Sequence, residues 1–112
     1  MTDCLFCKIV AGDIPSEKVY EDDKLLAFHD INPASPVHVL VIPKQHFASL
    51  NDFGSEDKDL LGELLFRAKE IAKDLKLDSG FRTVINTGED GGQTVFHLHV
   101  HILGGKKHHW PA

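Results

Sequence analysis

The alternation of apolar and polar residues predicts short strands on either side of one long amphipathic helix. Lys18 to Glu21 and Leu25 to Asp30 flank an acidic turn, which predicts a hairpin. Val37 to Ile42 is rich in β-branched residues and ends before Pro43, as is typical of a central strand buried on both faces. From Glu56 to Lys76, apolar residues recur every three or four positions, which indicates one amphipathic helix.

The two ends of the chain add shorter elements. Cys4 to Ala11 has the apolar spacing of a short helix that stops at Gly12. Phe81 to Asn86 and Val95 to Leu103 are predicted strands on either side of a glycine-bearing loop. The order of elements indicates an α+β fold: an antiparallel sheet of about five strands with one long helix and a short N-terminal helix. A chain of 112 residues fits one core, so residues 1–112 are expected to form a single domain.

Composition and charge narrow the class of protein. Hydrophobic residues make up 42% of the chain and charged residues 26%, as in soluble globular proteins. The net charge of -5 argues against binding nucleic acid by bulk charge. No apolar stretch approaches the roughly 20 residues of a membrane helix, and the N-terminus lacks the layout of a secretory signal. We therefore expect a cytoplasmic protein with neither nucleic acid nor a membrane as partner.

Three of the eight histidines alternate with bulky apolar residues in the last predicted strand. Successive side chains of a strand point to opposite faces, so the three imidazoles are expected on one side and the apolar residues in the core. The histidines are His97, His99 and His101. The apolar residues that alternate with them are Phe96, Leu98, Val100 and Ile102.

Imidazoles spaced about 7 Å apart along a strand can divide the roles of metal ligand, nucleophile and proton donor. The alternative is a half-exposed strand whose polar face is rich in histidine. The strict alternation favours a catalytic or ligand-binding role over this alternative. A single metal site that uses all three is disfavoured, because alternate side chains on a flat strand diverge.

The loop before this strand is rich in glycine. Gly88, Gly91 and Gly92 allow backbone N–H groups to converge on an anion, although such a loop on its own can be a simple turn. Its position beside the histidines favours a phosphate site.

Several segments spread over nearly the whole chain resemble one family. They are Leu26–Ile31, Val41–Lys44, Asp90–Gln93, His97–Leu103 and His109–Pro111. Together they resemble the histidine triad nucleotide hydrolases and transferases, in particular the nucleoside phosphoramidase branch.

The resemblance implies a homodimer that binds a nucleoside 5'-phosphate. His99 would attack the α-phosphorus, and water would hydrolyse the resulting nucleotidyl-histidine. His101 would contact phosphate, His38 would be the fourth family histidine, and Thr94 could relay a proton to the leaving group. Without the resemblance, His38 could equally be a satisfied core histidine.

The resemblance also implies a nucleotide-binding set. Asp30 would hold the ribose hydroxyls and Ile31 would pack on the base. Asn86, Gly92, Gln93 and Thr94 would surround the phosphate and leaving group, together with His99 and His101. As a residue by itself, Asp30 could be only an exposed carboxylate at a strand end.

The two cysteines, Cys4 and Cys7, could supply half of a tetrahedral metal site, with His46 and His97 as further candidates. Zinc-bearing relatives use a similar set of four, so the resemblance implies a structural zinc with these ligands and no cofactor in the reaction. The alternatives are two buried reduced cysteines or, less favoured, a redox pair.

The leading hypothesis is a hydrolase of purine nucleoside 5'-phosphoramidates, of the adenosine 5'-monophosphoramidase type, with AMP or GMP as product. The alternatives are a dinucleoside polyphosphate hydrolase and a non-catalytic nucleotide-binding or scaffold module. A homodimer is also expected on independent grounds, because a small sheet exposes edges that a twofold partner can cover. The long helix and the strand at 81–86 are the candidate interfaces.

Overall fold

The computed structural model describes residues 3–112. Among these residues, five strands form one antiparallel sheet in the order β1-β2-β3-β5-β4. The elements are α1 (Leu5–Val10), β1 (Lys18–Glu21), β2 (Leu25–His29), β3 (Val37–Pro43), α2 (Lys58–Asp74), β4 (Arg82–Val84) and β5 (Val100–Gly104). The predicted α+β architecture, with a short first helix and one long helix, is confirmed.

The two faces of the sheet bury separate apolar clusters. Alternate residues of β3, such as Val39 and Val41, pack with Leu64 and Ile71 of α2 on one face. The residues between them, such as Leu40, pack on the other face with Phe6 and Ile9 of α1 and Phe28 of β2. All of β3 after its first residue is buried, which confirms its prediction as a central strand.

The last strand is shorter than predicted. β5 starts at Val100, which lies opposite Val41, whereas the sequence predicted a strand from Val95. Continuing the register would place Pro43 opposite Leu98, and proline has no N–H to donate to the ladder. The segment before Val100 is therefore irregular, and the prediction was wrong there.

Phe96 follows from the same irregularity. The strand prediction placed its side chain in the core, yet 52% of the residue is exposed. The next three apolar positions in the alternation, Leu98, Val100 and Ile102, are buried as predicted.

The long helix and β4 are also shorter than predicted. α2 begins at Lys58 because the chain first winds through two short 3-10 turns, Leu50–Asp52 and Ser55–Asp57. β4 spans three residues and, within the part of the chain that the structure describes, pairs only with β5, at the edge of the sheet. Within residues 3–112, no helix has both the length and the apolar character needed to cross a membrane.

Candidate functional site

The three alternating histidines lie together beside α1. His101 is in β5, and His97 and His99 are in the irregular segment before it. The ring of Phe6 meets His97 and His99 edge-on, with centroids 5.9 and 5.2 Å apart. The rings of His99 and His101 are 4.8 Å apart. Phe28 completes this side with an edge contact to Phe6 at 5.5 Å.

His99 has a defined tautomer. Its Nδ1 lies 2.8 Å from the backbone oxygen of His97, and a carbonyl oxygen can only accept, so Nδ1 carries the hydrogen. In the neutral ring, Nε2 then holds the free lone pair. Burial lowers the pKa of His99, while the His97 carbonyl and Asp30 oppose that shift. The ring is therefore neutral at pH 7, with Nε2 available as a nucleophile.

A second chain of hydrogen bonds fixes His38 and His101. The backbone N–H of Ala34 donates to Nδ1 of His38 at 3.0 Å, so Nε2 of His38 carries a hydrogen. That nitrogen lies 2.9 Å from Nδ1 of His101, which must accept. Nε2 of His101 is consequently an N–H donor. Asp30 lies beside this chain, with Oδ2 3.5 Å from Nε2 of His38.

Burial keeps both of these rings uncharged. It lowers the pKa of His101 to about 4, and the neighbouring His99 and His38 act in the same direction. Burial also lowers the pKa of His38, which Asp30 opposes. At neutral pH the site therefore combines a neutral ring with a free Nε2 lone pair, His99, with a neutral N–H donor, His101.

His99 and His101 line a cleft of about 390 Å³, a volume within the usual range of small-molecule sites. One wall is apolar and comes largely from α1 and the segment that follows it. The apolar lining residues are Leu5, Phe6, Ile9, Ile14, Pro15, Phe28, Ile31, Leu40 and Val95. The cleft thus offers an apolar surface next to the free imidazole nitrogen of His99 and the hydrogen-bond donor of His101.

Three of the predicted nucleotide-binding residues line this cleft outside the histidines. Asp30 follows β2, where its Oδ1 accepts the N–H of Asn32 at 2.8 Å. Ile31 is 90% exposed at the cleft, and Thr94 belongs to the same lining. His29, which the sequence did not assign to a site, lines the cleft as well.

The remaining predicted residues brace the glycine loop and are not among the residues lining the cleft. Gln93 is buried: its Oε1 accepts the N–H of Gly88 at 2.9 Å, and its Nε2 donates to the carbonyl of Ala48 at 2.7 Å. Nδ2 of Asn86 donates to the carbonyl of Gly91 at 2.7 Å. Gly92 has φ +80°, a conformation that favours glycine. These contacts set the shape of the loop beside Thr94.

The four predicted metal ligands converge on one point. Nδ1 of His97 lies 3.2 Å from Sγ of Cys4, 3.6 Å from Sγ of Cys7 and 3.2 Å from Nδ1 of His46. Sγ of Cys7 lies 3.4 Å from Nδ1 of His46. A tetrahedral zinc site with two sulfur and two nitrogen ligands has edges of roughly 3.3–3.8 Å, so the four donors fit such an ion.

The orientation of His97 agrees with a ligand role. Its Nε2 lies 2.8 Å from the carbonyl of Pro43 and so carries the hydrogen, which leaves the Nδ1 lone pair directed at the sulfur atoms. Burial lowers the pKa of His97, while the Pro43 carbonyl opposes that shift. Metal ligation requires the unprotonated ring, which is the form that burial favours.

A second group, Asp30, His38 and His101, also brings three potential ligand atoms within 4.8 Å of one another. A metal on Nε2 of His38 would require a hydrogen on Nδ1, and that hydrogen would point at the N–H of Ala34. The hydrogen-bond chain therefore disfavours a metal at this position.

A family model described as the HIT domain matches residues 11–108, which include all three alternating histidines. The chain belongs to the HIT domain family. This confirms the family that the sequence motifs predicted.

Relatives of this HIT protein agree with that assignment. This chain is 51% identical over 111 residues to a 14 kDa zinc-binding protein of Brassica juncea, and the match covers 97% of this chain and 98% of the relative. A HIT family hydrolase of Legionella pneumophila has a similar structure, with a TM-score of 0.95, 48% identity and coverage of 97% and 98% of the two chains. A histidine triad nucleotide-binding protein of Candida albicans gives a TM-score of 0.83 at 37% identity, over 98% of this chain and 84% of that one.

A second cavity of the HIT protein, of about 450 Å³, has a different character. It lies between the β1–β2 turn and the start of α2, and five carboxylates against two lysines would repel a phosphate. Its acidic lining residues are Asp23, Glu56, Asp57, Asp59 and Glu63, and its lysines are Lys24 and Lys44. The histidine cleft is therefore the better site for a nucleotide.

Sequence reasoning also missed two contacts that hold the histidines in place. Phe6 touches both His97 and His99, but in the sequence it is one apolar residue of a short helix. The Pro43 carbonyl orients His97, and a backbone carbonyl leaves no trace in residue types. Neither contact had a sequence signal that could have revealed it.

Proposed function

We propose that this HIT protein hydrolyses purine nucleoside 5'-phosphoramidates, with His99 as the covalent nucleophile. The carrying observation is the hydrogen bond from Nδ1 of His99 to the carbonyl of His97, which leaves the Nε2 lone pair free in a residue lining the cleft. The names of its structural relatives, a hydrolase and a nucleotide-binding protein, support this class of activity.

In the first step, Nε2 of His99 attacks the α-phosphorus, a P–N bond to the ring forms, and the P–N bond to the amine breaks. The leaving nitrogen takes a proton from solvent through the hydroxyl of Thr94. The His97 carbonyl stabilises the positive charge that develops on the imidazole, and so does the carboxylate of Asp30. The Nε2–H of His101 donates to a phosphate oxygen, where charge accumulates in the transition state.

In the second step, water attacks the phosphorus and His99 leaves as neutral imidazole. The water releases one proton to solvent, so the overall reaction consumes one water and yields an amine and a nucleoside monophosphate. Both steps exchange one bond at the same phosphorus. Water and a solvent proton are the co-reactants, and no further one is needed.

Recognition of the nucleotide would divide between the apolar and the polar residues that line the cleft. The apolar wall from Phe6, Ile9 and Ile31 takes the base, and the carboxylate of Asp30 accepts the ribose hydroxyls. A cleft of about 390 Å³ suits one nucleoside better than two, which favours a phosphoramidate over a dinucleoside polyphosphate.

We also propose that Cys4, Cys7, His46 and His97 hold a structural zinc. The tetrahedral edges and the orientation of His97 support this, and so does the zinc-binding relative. Bound zinc would supply a closed four-ligand crosslink between the N-terminal segment and the sheet, with no open position for a reactant. The hydrolysis would need no metal. The free cysteines also fit a reducing compartment such as the cytoplasm.

We further propose a homodimer. The outer edge of β4 has no partner strand within the described chain, and unpaired edges favour association. Phe66 on α2 and Phe81 before β4 are 55% and 39% exposed, and aromatic residues are enriched in the cores of protein interfaces. Light scattering should give about twice the chain mass of 12.5 kDa. A particle of one chain mass would reject the dimer.

Adduct trapping tests the activity. The protein is mixed with adenosine 5'-phosphoramidate, quenched and digested, and the peptides are analysed by mass spectrometry. We expect an adenylate on the peptide that contains His99, and no adduct in a His99→Ala variant. An adduct on another residue would refute the nucleophile, and hydrolysis without any adduct would refute the covalent route.

A parallel assay distinguishes the leaving groups. Adenosine 5'-phosphoramidate and a diadenosine polyphosphate are compared at equal concentration, and we expect the larger kcat/KM for the phosphoramidate. A larger value for the dinucleotide would favour the alternative hydrolase. Binding of AMP with no turnover of either compound would favour the nucleotide-binding module.

A further inference from the structure

The proposed metal centre and the proposed nucleotide cleft share structural parts. Cys4 caps α1 and Cys7 lies within it, and their sulfur atoms belong to the metal cluster. The same six-residue helix supplies Leu5, Phe6 and Ile9 to the wall of the cleft. Any event that fixes the cysteines therefore also fixes part of the nucleotide site.

The helix α1 depends on such contacts. Six residues are too few for a stable isolated helix, because the cost of nucleation is spread over very few hydrogen bonds. Leu5 is 45% exposed, so only one side of the helix packs on the sheet, through Phe6 and Ile9. A metal ion that joins Cys4 and Cys7 to the sheet would restrict α1 to the arrangement that forms the cleft.

A second link runs through His97. Its ring directs Nδ1 at the cysteines, and its backbone carbonyl holds Nδ1 of His99 at 2.8 Å. His97 is fully buried, and its Nε2 is bonded to Pro43, so the residue has little freedom to change one contact without the other. Phe6 touches both histidine rings and so connects the two links.

We propose that metal binding at Cys4, Cys7, His46 and His97 and nucleotide binding in the cleft are thermodynamically coupled through α1 and His97, so that each ligand tightens the other. The inference rests on the proposed function, because it requires a nucleotide in the cleft. The sign is positive, because the first ligand to bind orders α1 and the second then meets a wall that is already formed. Coupling between sites typically changes affinity by about 5-fold to 150-fold, and we expect about tenfold here.

The test measures metal affinity and does not depend on activity. The 112-residue chain is titrated with Zn²⁺ in competition with a chromophoric chelator, with and without saturating AMP, which has no leaving group to transfer. We expect AMP to raise the Zn²⁺ affinity about tenfold, and Zn²⁺ to raise the AMP affinity by the same factor in calorimetry. Zn²⁺ affinities that agree within twofold with and without AMP would overturn the coupling.

A matched pair of variants tests the route. Phe6→Leu removes the ring that connects α1 with His97 and His99 and keeps an apolar side chain. Phe66→Leu makes the same change at an exposed residue of α2, outside both sites. We expect the AMP-dependent gain in Zn²⁺ affinity to shrink severalfold in Phe6→Leu and to stay at the wild-type value in Phe66→Leu.

The outcomes separate the two proposals. An unchanged gain in Phe6→Leu, or an equal decrease in both variants, would show that the metal acts only through global folding and would overturn the α1 route. If His99 is adenylated but AMP leaves the Zn²⁺ affinity unchanged, the coupling fails and the proposed hydrolase stands. If zinc-loaded protein neither binds AMP nor forms the adduct, the proposed function fails and the coupling fails with it.

Discussion

The backbone oxygen of His97 lies 2.8 Å from Nδ1 of His99 and accepts its hydrogen. Two residues with the same side chain therefore have opposite tautomers. His97 carries its hydrogen on Nε2 and directs Nδ1 at the cysteines, whereas His99 carries its hydrogen on Nδ1 and keeps Nε2 for the cleft. The tautomers are set by backbone carbonyls, one of Pro43 and one of His97.

Replacement of His99 should separate chemistry from binding. We expect His99→Ala to lower kcat for adenosine 5'-phosphoramidate by at least about 10³-fold, because no other group replaces the nucleophile. AMP affinity should stay within about tenfold of wild type, since Asp30 and the apolar wall remain. Steady-state kinetics and calorimetry measure the two quantities. The control Lys73→Ala, at an exposed position in the last turn of α2, should match wild type in kcat and AMP affinity. Turnover retained by His99→Ala would contradict the assignment of His99 as the nucleophile.

The acid sensitivity of the fold should depend on His101. Burial lowers its pKa to about 4, whereas an unfolded chain titrates near 6.5. Between those values the unfolded state binds more protons, so the free energy of unfolding falls as the pH is lowered through this window. His101→Gln removes this dependence. The difference in the free energy of unfolding between the variant and wild type should therefore change by up to about 1.4 kcal/mol per pH unit.

Urea unfolding at several pH values between about 4.5 and about 7 measures this effect. Metal ligands are common to both proteins, so their protonation cancels in the difference. His109→Gln, at an exposed position, should give a curve parallel to wild type. A parallel curve for His101→Gln would mean that the buried ring does not control this pH dependence.

The sequence pattern predicted much of the fold and the grouping of the three alternating histidines. The spacing of Leu64, Ala68 and Ile71 gave the buried face of α2, and the alternation around His97 to His101 gave the group of histidines. These features follow from side-chain periodicity, which the sequence contains directly.

Other features depend on contacts between distant backbone groups. The start of β5 at Val100 follows from Pro43 on the neighbouring strand, which lies 57 positions earlier in the chain, and periodicity within one strand cannot report it. The tautomer of His97 depends on the same proline through its carbonyl. Such effects appear only after the register of the sheet is known.

Two glycines should respond oppositely to the same substitution. A Cβ on Gly91 would lie 2.8 Å from the backbone nitrogen of Thr87, so Gly91→Ala should displace the loop and its bond to Asn86. We expect at least about a tenfold loss of kcat/KM. A Cβ on Gly62, exposed in α2, meets nothing within 4 Å, so Gly62→Ala should raise the free energy of unfolding by about 0.5–1 kcal/mol.

Kinetics and urea unfolding of both variants check this pair. Gly62→Ala should keep the wild-type kcat/KM, which makes it the control for Gly91→Ala. Equal kinetics for the two variants would show that the shape of the loop has no influence on the reaction.

The carboxylate of Asp30 should contribute to nucleotide affinity specifically by binding the ribose hydroxyls. Asp30→Asn keeps the Oδ1 acceptor for the N–H of Asn32 and removes the charge, so the local turn should remain. Wild type should bind AMP at least about tenfold more tightly than 2',3'-dideoxy-AMP, because a hydrogen bond to a charged acceptor contributes about 1.5–3 kcal/mol.

In Asp30→Asn that preference should fall to about twofold, since the two changes remove the same interaction. Calorimetry with both nucleotides on both proteins gives the four affinities of the cycle. Asp23→Asn, the same change in the turn between β1 and β2, should keep the wild-type preference. If Asp30→Asn weakens both nucleotides equally, the carboxylate acts on the phosphate or on the histidines, and the ribose is held by another group.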